Sequence, residues 1–269
     1  MQQVLIVGAG AIGAYLVREL HAAWPQLRMA CLERPEFAAA ARERMRSLAG
    51  DRVEIYARVA EVPGEIDLAI ECGGHAAVNQ HGVECMDRKL DLLVASTGSL
   101  ADQALYDKLV AGAKRNGVKL LIPAGAVAGM DGLAAARLAG IDRVRYTSRK
   151  LPLAWKGTHA ETLVKLDEIR EATEFLHCDA RQAATLFPQN ANVAATIALA
   201  GIGFERTEVS LNADPQAQGN THLIEVEGAC GQMRFELRNK PFADNPKTSM
   251  LAGLSLLRVI RNRAEAVQV

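Results

Sequence analysis

The 269-residue sequence predicts an α/β protein: a doubly wound parallel sheet, followed by a second α/β domain with an open mixed or antiparallel sheet. Three observations carry that expectation. Through the first half, short β-rich apolar runs alternate with helical stretches, the pattern of repeated β-α-β units. A glycine-rich turn, Gly8-x-Gly10-x-x-Gly13, follows the first run and opens the first helical stretch. After about Gly129 the alternation stops, and a hairpin of period two appears further on.

Taken in order, residues 3–7, 28–33, 53–56, 66–71, 91–96 and 118–122 read as strands, with helices expected at 11–24, 36–48, 76–88 and 101–116. A helix at 133–138 and a strand at 144–150 open the second domain. The hairpin is its clearest element: Leu223, Glu225 and Glu227 alternate with His222, Ile224 and Val226, a turn spans 228–231, and Met233, Phe235 and Leu237 alternate with Arg234, Glu236 and Arg238. One hairpin face is apolar and needs cover, expected from helices at 180–187 and 193–201, giving an open-faced antiparallel sheet. A last helix, 249–263, with Met250, Leu254, Leu257 and Ile260 or Arg261 at helical spacing, is expected to pack back on the first domain. The domains therefore divide as 1–129 with 244–269, and 130–243.

Composition narrows the function. Lys plus Arg and Asp plus Glu are 31 each, so no long-range field draws the chain to nucleic acid or to an anionic membrane. No apolar run approaches the roughly 18–20 residues of a membrane span, and the first ten residues read as strand and glycine loop rather than signal peptide. Five dispersed cysteines, Cys31, Cys72, Cys85, Cys178 and Cys230, form no metal-ligand spacing. They imply a reducing cytoplasm, no metal, and packing as small buried hydrophobes.

In its strand-to-helix setting the glycine turn points to a nicotinamide dinucleotide, NAD or NADP, on a Rossmann-type domain. Gly8 permits the tight turn, Gly10 admits the pyrophosphate, and Gly13 lets helix and strand approach, with Ala11 and Ile12 completing the turn at the helix start. Glu33 ends the second strand where a carboxylate takes the ribose hydroxyls, favouring NAD, whereas the adjacent Arg34 suits the 2′-phosphate of NADP. Two more loops leave strands at the same edge, Cys72-Gly73-Gly74-His75 and Ser96-Thr97-Gly98-Ser99, and are expected to line the groove. His75 reads as a packing or capping residue more readily than as a catalyst.

Several further segments complete a pattern: Val7-Gly8-Ala9-Gly10-Ala11-Ile12-Gly13, the loop from Ile122 through Pro123-Ala124-Gly125-Ala126 to Gly129, Ala154-Trp155-Lys156-Gly157-Thr158, Pro188-Gln189-Asn190-Ala191-Asn192, Asn220-Thr221-His222 and Asn245-Pro246-Lys247-Thr248-Ser249. Together they resemble the L-aspartate dehydrogenases, over nearly the whole chain. Ala124 departs from the serine such sequences often carry, and Glu33 from their usual aspartate. The resemblance implies oxidation of L-aspartate to iminoaspartate with NAD or NADP, a product that hydrolyses to oxaloacetate and ammonia or feeds NAD biosynthesis, and a homodimer or higher homo-oligomer. It also implies that Ala126 and Asn192 touch the cofactor and that His222 is the active-site residue.

The chemistry agrees, because hydride leaves the α-carbon only when the amine is neutral, and a base near neutral pKa assists. The same imidazole can instead steer water or ammonia, and by position alone His222 also suits a hydrogen-bonded core residue. Two substrate carboxylates call for cations and amides, for which Lys247 with Thr248 come first and Lys156 second. Thr248 equally suits a cap to the last helix, and Asn190 ranks below Asn192. Two rivals stand: another imine or amino-acid reductase, such as a dihydrodipicolinate reductase-like enzyme, and a dinucleotide-binding sensor without catalysis.

Overall fold

The structure, a computed structural model, describes residues 1–188, 191–242 and 245–268, with the backbone alone for 245–247. Two compact units make up the chain: residues 1–123 with 253–269, and residues 124–252.

The first unit contains β1 (Gln3–Val7), α1 (Ala11–Ala23), β2 (Arg28–Leu32), α2 (Ala38–Ala49), β3 (Val53–Tyr56), β4 (Leu68–Glu71), α3 (His75–Asp87), β5 (Leu92–Val94), α4 (Gln103–Asn116) and β6 (Leu120–Leu121). Its sheet has the order β3-β2-β1-β4-β5-β6 with every pair parallel, so the doubly wound expectation holds. All of β1 is buried, as a strand with both faces covered must be, which is why Val4–Val7 read as an unbroken apolar run; the buried Gln3 before them donates its side-chain amide to Pro63 O at 2.9 Å. Strand order reverses between β1 and β4, and at such a switch point a crevice opens beyond the strands' carboxyl ends.

Helix α4 begins two residues later than expected. A 3₁₀ turn occupies Thr97–Ala101, and the Asp102 carboxylate accepts from the Ala104 and Leu105 amides as the N-cap. The last helix, whose buried part belongs to this unit, packs Leu256, Leu257 and Ile260 into one core with Val4, Ile6, Leu16 and Leu20. Its inner stripe corrects the expected one: Met250 and Leu254 are each 42% exposed. Leu257 and Ile260 are common to both stripes. Gly253, Ser255 and Leu256 are the residues buried beside them.

The second unit runs through α5 (Met130–Ala139), β7 (Ile141–Lys150), α6 (Ala160–Leu163), β8 (Thr173–Asp179), α7 (Ala180–Leu186), α8 (Ala191–Ala200), β9 (Thr207–Ala213), β10 (Asn220–Gly228), β11 (Gly231–Asn239), β12 (Pro241–Phe242) and β13 (Asn245–Ser249), to the start of α9 (Met250–Ala264). Its main sheet is ordered β11-β10-β7-β9-β8. The sheet is mixed rather than purely antiparallel, because β7 and β9 run parallel. Strand β9 carries a period-two alternation of Val209, Leu211 and Ala213 with Glu208, Ser210 and Asn212, yet it and β8 lie outside the elements expected from sequence. The hairpin forms with its turn at 228–231 as expected, in a register that sets His222 opposite Leu237 and Ile224 opposite Phe235. Helices α7 and α8 pack together and against β9, whereas it is α5 that packs against β10, so the hairpin's apolar face is covered by a different helix from the two expected there. Residues 245–249 form β13, paired with β12, so the last helix starts one residue later than expected. Pro246 fits there because a two-stranded ribbon has free edges that need no donor.

All five cysteines are free; Cys31 and Cys85 are buried, Cys72 and Cys178 half-buried, and Cys230 exposed in the hairpin turn, so the packing role expected of all five holds for the first two. Among the described residues no helix is long and apolar enough to cross a membrane.

Candidate active site

In the first unit β1 delivers the chain to a glycine turn whose geometry separates the three glycines by task. Gly8 adopts φ +109°, and a Cβ there would lie 2.4 Å from Gly73 Cα, so the loops after β1 and β4 touch backbone to backbone. A Cβ on Gly13 would sit 2.2 Å from the Gly8 carbonyl oxygen, so this glycine brings α1 against the turn. A Cβ on Gly10 meets nothing within 4 Å. Packing does not demand that glycine, whereas a ligand approaching the main chain would. Gly10 also caps α1 with no side-chain hydrogen bond and no acidic residue in the first turn, which leaves the helix N-terminus suited to a pyrophosphate. The residues present thus fit a dinucleotide.

A cavity of about 420 Å³ opens at this turn. Of the residues expected at the cofactor, Gly8, Gly10, Glu33, Arg34, Cys72 and Gly73 line it. Ala11 and Ile12 lie in the first turn of α1, Gly13 packs behind the turn, and Gly98 is buried in the 3₁₀ turn after β5; none of these four lines the cavity. Val7 and Ala9 of the glycine turn line the cavity as well, and sequence reasoning missed Leu32 and Pro35 beside Glu33, Ala57 after β3, and Ala76, Ala77, Gln80 and His81 on α3. The signal for the α3 residues was the Gly73-Gly74 turn, which starts that helix at the cavity. His75, first residue of that helix, is not in the lining.

Glu33 Oε1 accepts the Arg34 amide at 2.8 Å, while the Arg34 guanidinium lies 3.4 Å from Glu36 and stacks 4.5 Å over the Phe37 ring. The carboxylate therefore stays at the cavity and the guanidinium is drawn along the following turn. An exposed pair such as Arg34 with Glu36 contributes only about 0–1 kcal/mol, so a 2′-phosphate can recruit Arg34 at little cost. Cys72 donates its Sγ–H to the Gly8 carbonyl at 3.4 Å, and burial pushes its thiol well above the ordinary value, which makes it a bridge between loops rather than a nucleophile.

In the second unit, His222 sits at 5% exposure on β10, in a stripe with the buried Ile224 and Val226. Tyr146 on β7 stands opposite Ile224, one diagonal step from His222. Its phenol meets His222 Nδ1 at 2.8 Å, with the rings nearly parallel. Among the described residues Nε2 has no hydrogen-bond partner. Ser148, directly opposite His222, is buried beside the phenol with its Oγ in no well-formed hydrogen bond. Burial pushes the imidazole down to about 4, and the charge of Lys150 adds to the effect. Lys150, at the end of β7, is itself pushed down to about 8 by burial, with its ammonium 4.8 Å over the Trp155 ring. Trp155 is fully buried against Phe175 and Phe187 and donates its indole N–H to Asn212 O at 3.1 Å.

The depressed imidazole carries a stability prediction. His222 is neutral in the folded chain down to about pH 4, whereas in the unfolded chain it takes a proton from about 6.5 downward. Its share of stability is thus complete above 6.5 and falls by roughly 3 kcal/mol in total as the pH drops to 4. Chemical denaturation at pH 7 and pH 4.5 should show a smaller loss for His222→Asn than for the parent; equal losses would deny the buried neutral state.

The other expected site residues of this unit are placed individually. The Ala126 carbonyl accepts from Asn239 Nδ2 at 2.6 Å, which ties the glycine-rich loop to the end of β11. Asn192 is exposed in the first turn of α8. Thr248 is half-buried at the end of β13, while the side chain of Lys247, like Asn190, lies outside the described residues. Lys156 pairs with Asp167 at 2.7 Å on the surface, so it is already engaged. Tyr146 and Lys150 were not expected from the sequence.

Comparison with known proteins agrees with both units. A family model described as the C-terminal part of aspartate dehydrogenase matches residues 131–263, and one described as the NAD-binding domain of homoserine dehydrogenase matches residues 8–123. The L-aspartate dehydrogenase of Cupriavidus necator is 42% identical over 271 residues and that of Acinetobacter baylyi 39% over 270, each over 100% of both chains. The crystal structure of aspartate dehydrogenase from Thermotoga maritima shares the fold at a TM-score of 0.80 and 24% identity, over 100% of this chain and 99% of that one. Identity of this extent along the full length shows that the chain belongs to the L-aspartate dehydrogenase family.

Proposed function

We propose that this chain oxidises L-aspartate to iminoaspartate, using NAD or NADP. The observation that carries the reading is His222: an imidazole on an apolar strand face, oriented at Nδ1 by Tyr146 and adjacent to the cation Lys150. When bound, the oxidised nicotinamide supplies the acceptor for the hydride of the substrate α-carbon. The protein's own residues supply the rest. Tyr146 fixes the ring and, by donating to Nδ1, places the imidazole proton on Nε2; by accepting, it leaves Nε2 basic.

A pKa near 4 suits an imidazole waiting in its neutral form, although it makes a weak base. Two substrate carboxylates beside it raise that value toward neutrality, where proton transfer from the ammonium of the substrate is effective. Lys150 offers a positive charge for one carboxylate, and Lys247 and Thr248 are retained for the other. Ala126 and Asn192 are assigned to the carboxamide end of the cofactor. A cytoplasmic homo-oligomer accords with the unbridged cysteines and with a sheet face left open on one side.

The test is absorbance at the reduced-nicotinamide band on mixing the protein with NAD or NADP and, separately, L-aspartate, D-aspartate, L-glutamate and a cyclic imine substrate with NADPH. Reduction with L-aspartate alone is expected. Turnover of the cyclic imine without any aspartate-dependent signal would overturn the assignment.

A further inference from the structure

Glu71 ends β4 at 1% exposure, and its carboxylate accepts four hydrogen bonds. The Gly73 and Gly74 amides donate to Oε1 at 2.9 and 2.8 Å, Ser96 Oγ donates to the same oxygen at 2.8 Å, and the Ser96 amide donates to Oε2 at 3.0 Å. Three of these donors are main-chain groups on two separate loops, one after β4 and one after β5. Ser99 Oγ then donates to the Ser96 carbonyl at 2.7 Å, closing the second loop on itself. A buried amide without an acceptor is costly, so both loops depend on this carboxylate to keep their course. Burial raises the pKa of Glu71 and the four donors oppose that rise. All three amides can only donate, so the arrangement is satisfied by the ionised form.

The two loops occupy a defined part of the groove. Glu33 and Arg34 mark the adenosine end at β2, and the glycine turn after β1 takes the pyrophosphate. In the order β3-β2-β1-β4-β5-β6, the remaining half of a dinucleotide faces the loops after β4 and β5. Gly73 lines the cavity and abuts Gly8, so displacing it moves a wall of the site.

We infer that Glu71 is a positioning residue whose carboxylate locks the loops after β4 and β5 together and thereby shapes the nicotinamide half of the dinucleotide groove. The inference rests on the dinucleotide reading of the first unit. Glutamine cannot replace Glu71: in either amide orientation its NH₂ group opposes an N–H, at Ser96 or at the Gly73-Gly74 pair.

The experiment measures binding of NADH and NADPH by fluorescence and of 5′-AMP by calorimetry, well below the melting temperature, for the parent, Glu71→Gln, Ser96→Ala and Met45→Ala. Glu71→Gln should bind the preferred reduced dinucleotide at least about tenfold more weakly and AMP within about twofold of the parent. Ser96→Ala, which removes one donor of four, should weaken the dinucleotide by about threefold. Met45→Ala, a core truncation in α2, should lower the melting temperature and move neither affinity. Parent-like dinucleotide affinity in Glu71→Gln, or equal losses for dinucleotide and AMP, overturns the inference. Should Glu71→Gln fail to fold, unchanged dinucleotide affinity in Ser96→Ala does so. A parent that binds none of these ligands removes the dinucleotide reading, and this inference with it.

Discussion

Replacing His222 by alanine should lower turnover of L-aspartate by about two to four orders of magnitude, the contribution of a positioned acid-base group, while the affinity for NADH or NADPH changes less than about twofold. The separation follows from where the residues lie. Every dinucleotide-lining residue of the cavity belongs to the first unit, and His222 belongs to the sheet of the second. Alanine leaves the Tyr146 phenol without its partner at a buried site, at about 1–3 kcal/mol, so melting temperature must be followed alongside. His222→Asn retains a polar group on the strand and serves as the second variant. Full turnover in either, with the fold intact, would remove the imidazole from the mechanism.

The second large effect is expected at the glycine turn, where two positions in one motif should fail differently. Gly10→Val should fold with a melting temperature close to that of the parent, because its side chain enters open space, yet bind the reduced dinucleotide about a hundredfold more weakly as that space is the approach to the main chain. Gly13→Ala should instead damage the fold. Its Cβ, 2.2 Å from a backbone oxygen, forces α1 away from β1 and disturbs the core of Leu16, Val17 and Leu20, at about 3 kcal/mol or more. Calorimetric melting and dinucleotide fluorescence on both proteins check the contrast. Normal binding by Gly10→Val would show that the turn does not admit a cofactor.

Much of the first unit was legible because its parallel strands are buried on both faces and appear as apolar runs between helical stretches. The runs overstate the strands: residues 91–96 and 118–122 read as strands, whereas the pairing is confined to Leu92–Val94 and Leu120–Leu121, and the second run is interrupted by the exposed Lys119. The second unit was harder. Its hairpin is local and its alternation visible, whereas the parallel pairing of β7 with β9 joins segments nearly 60 residues apart and leaves no local mark.

The candidate site shows the same division. His222 stands out as a polar residue in an apolar stripe, and Gly8, Gly10 and Gly13 form a spaced motif. Tyr146 and Lys150 reach the imidazole only through strand register, and His81 and Gln80 reach the cavity only through the course of α3. Glu71 looked like an ordinary strand end, since the four donors that define its role come from loops 2–3 and 25 residues away.

The most direct test of the central claim uses L-aspartate deuterated at the α-carbon, with mass analysis of the reduced dinucleotide formed. The hydride abstracted from that carbon should appear as deuterium in the recovered NADH or NADPH. Reduced dinucleotide without the label, or none formed at all, would contradict the account.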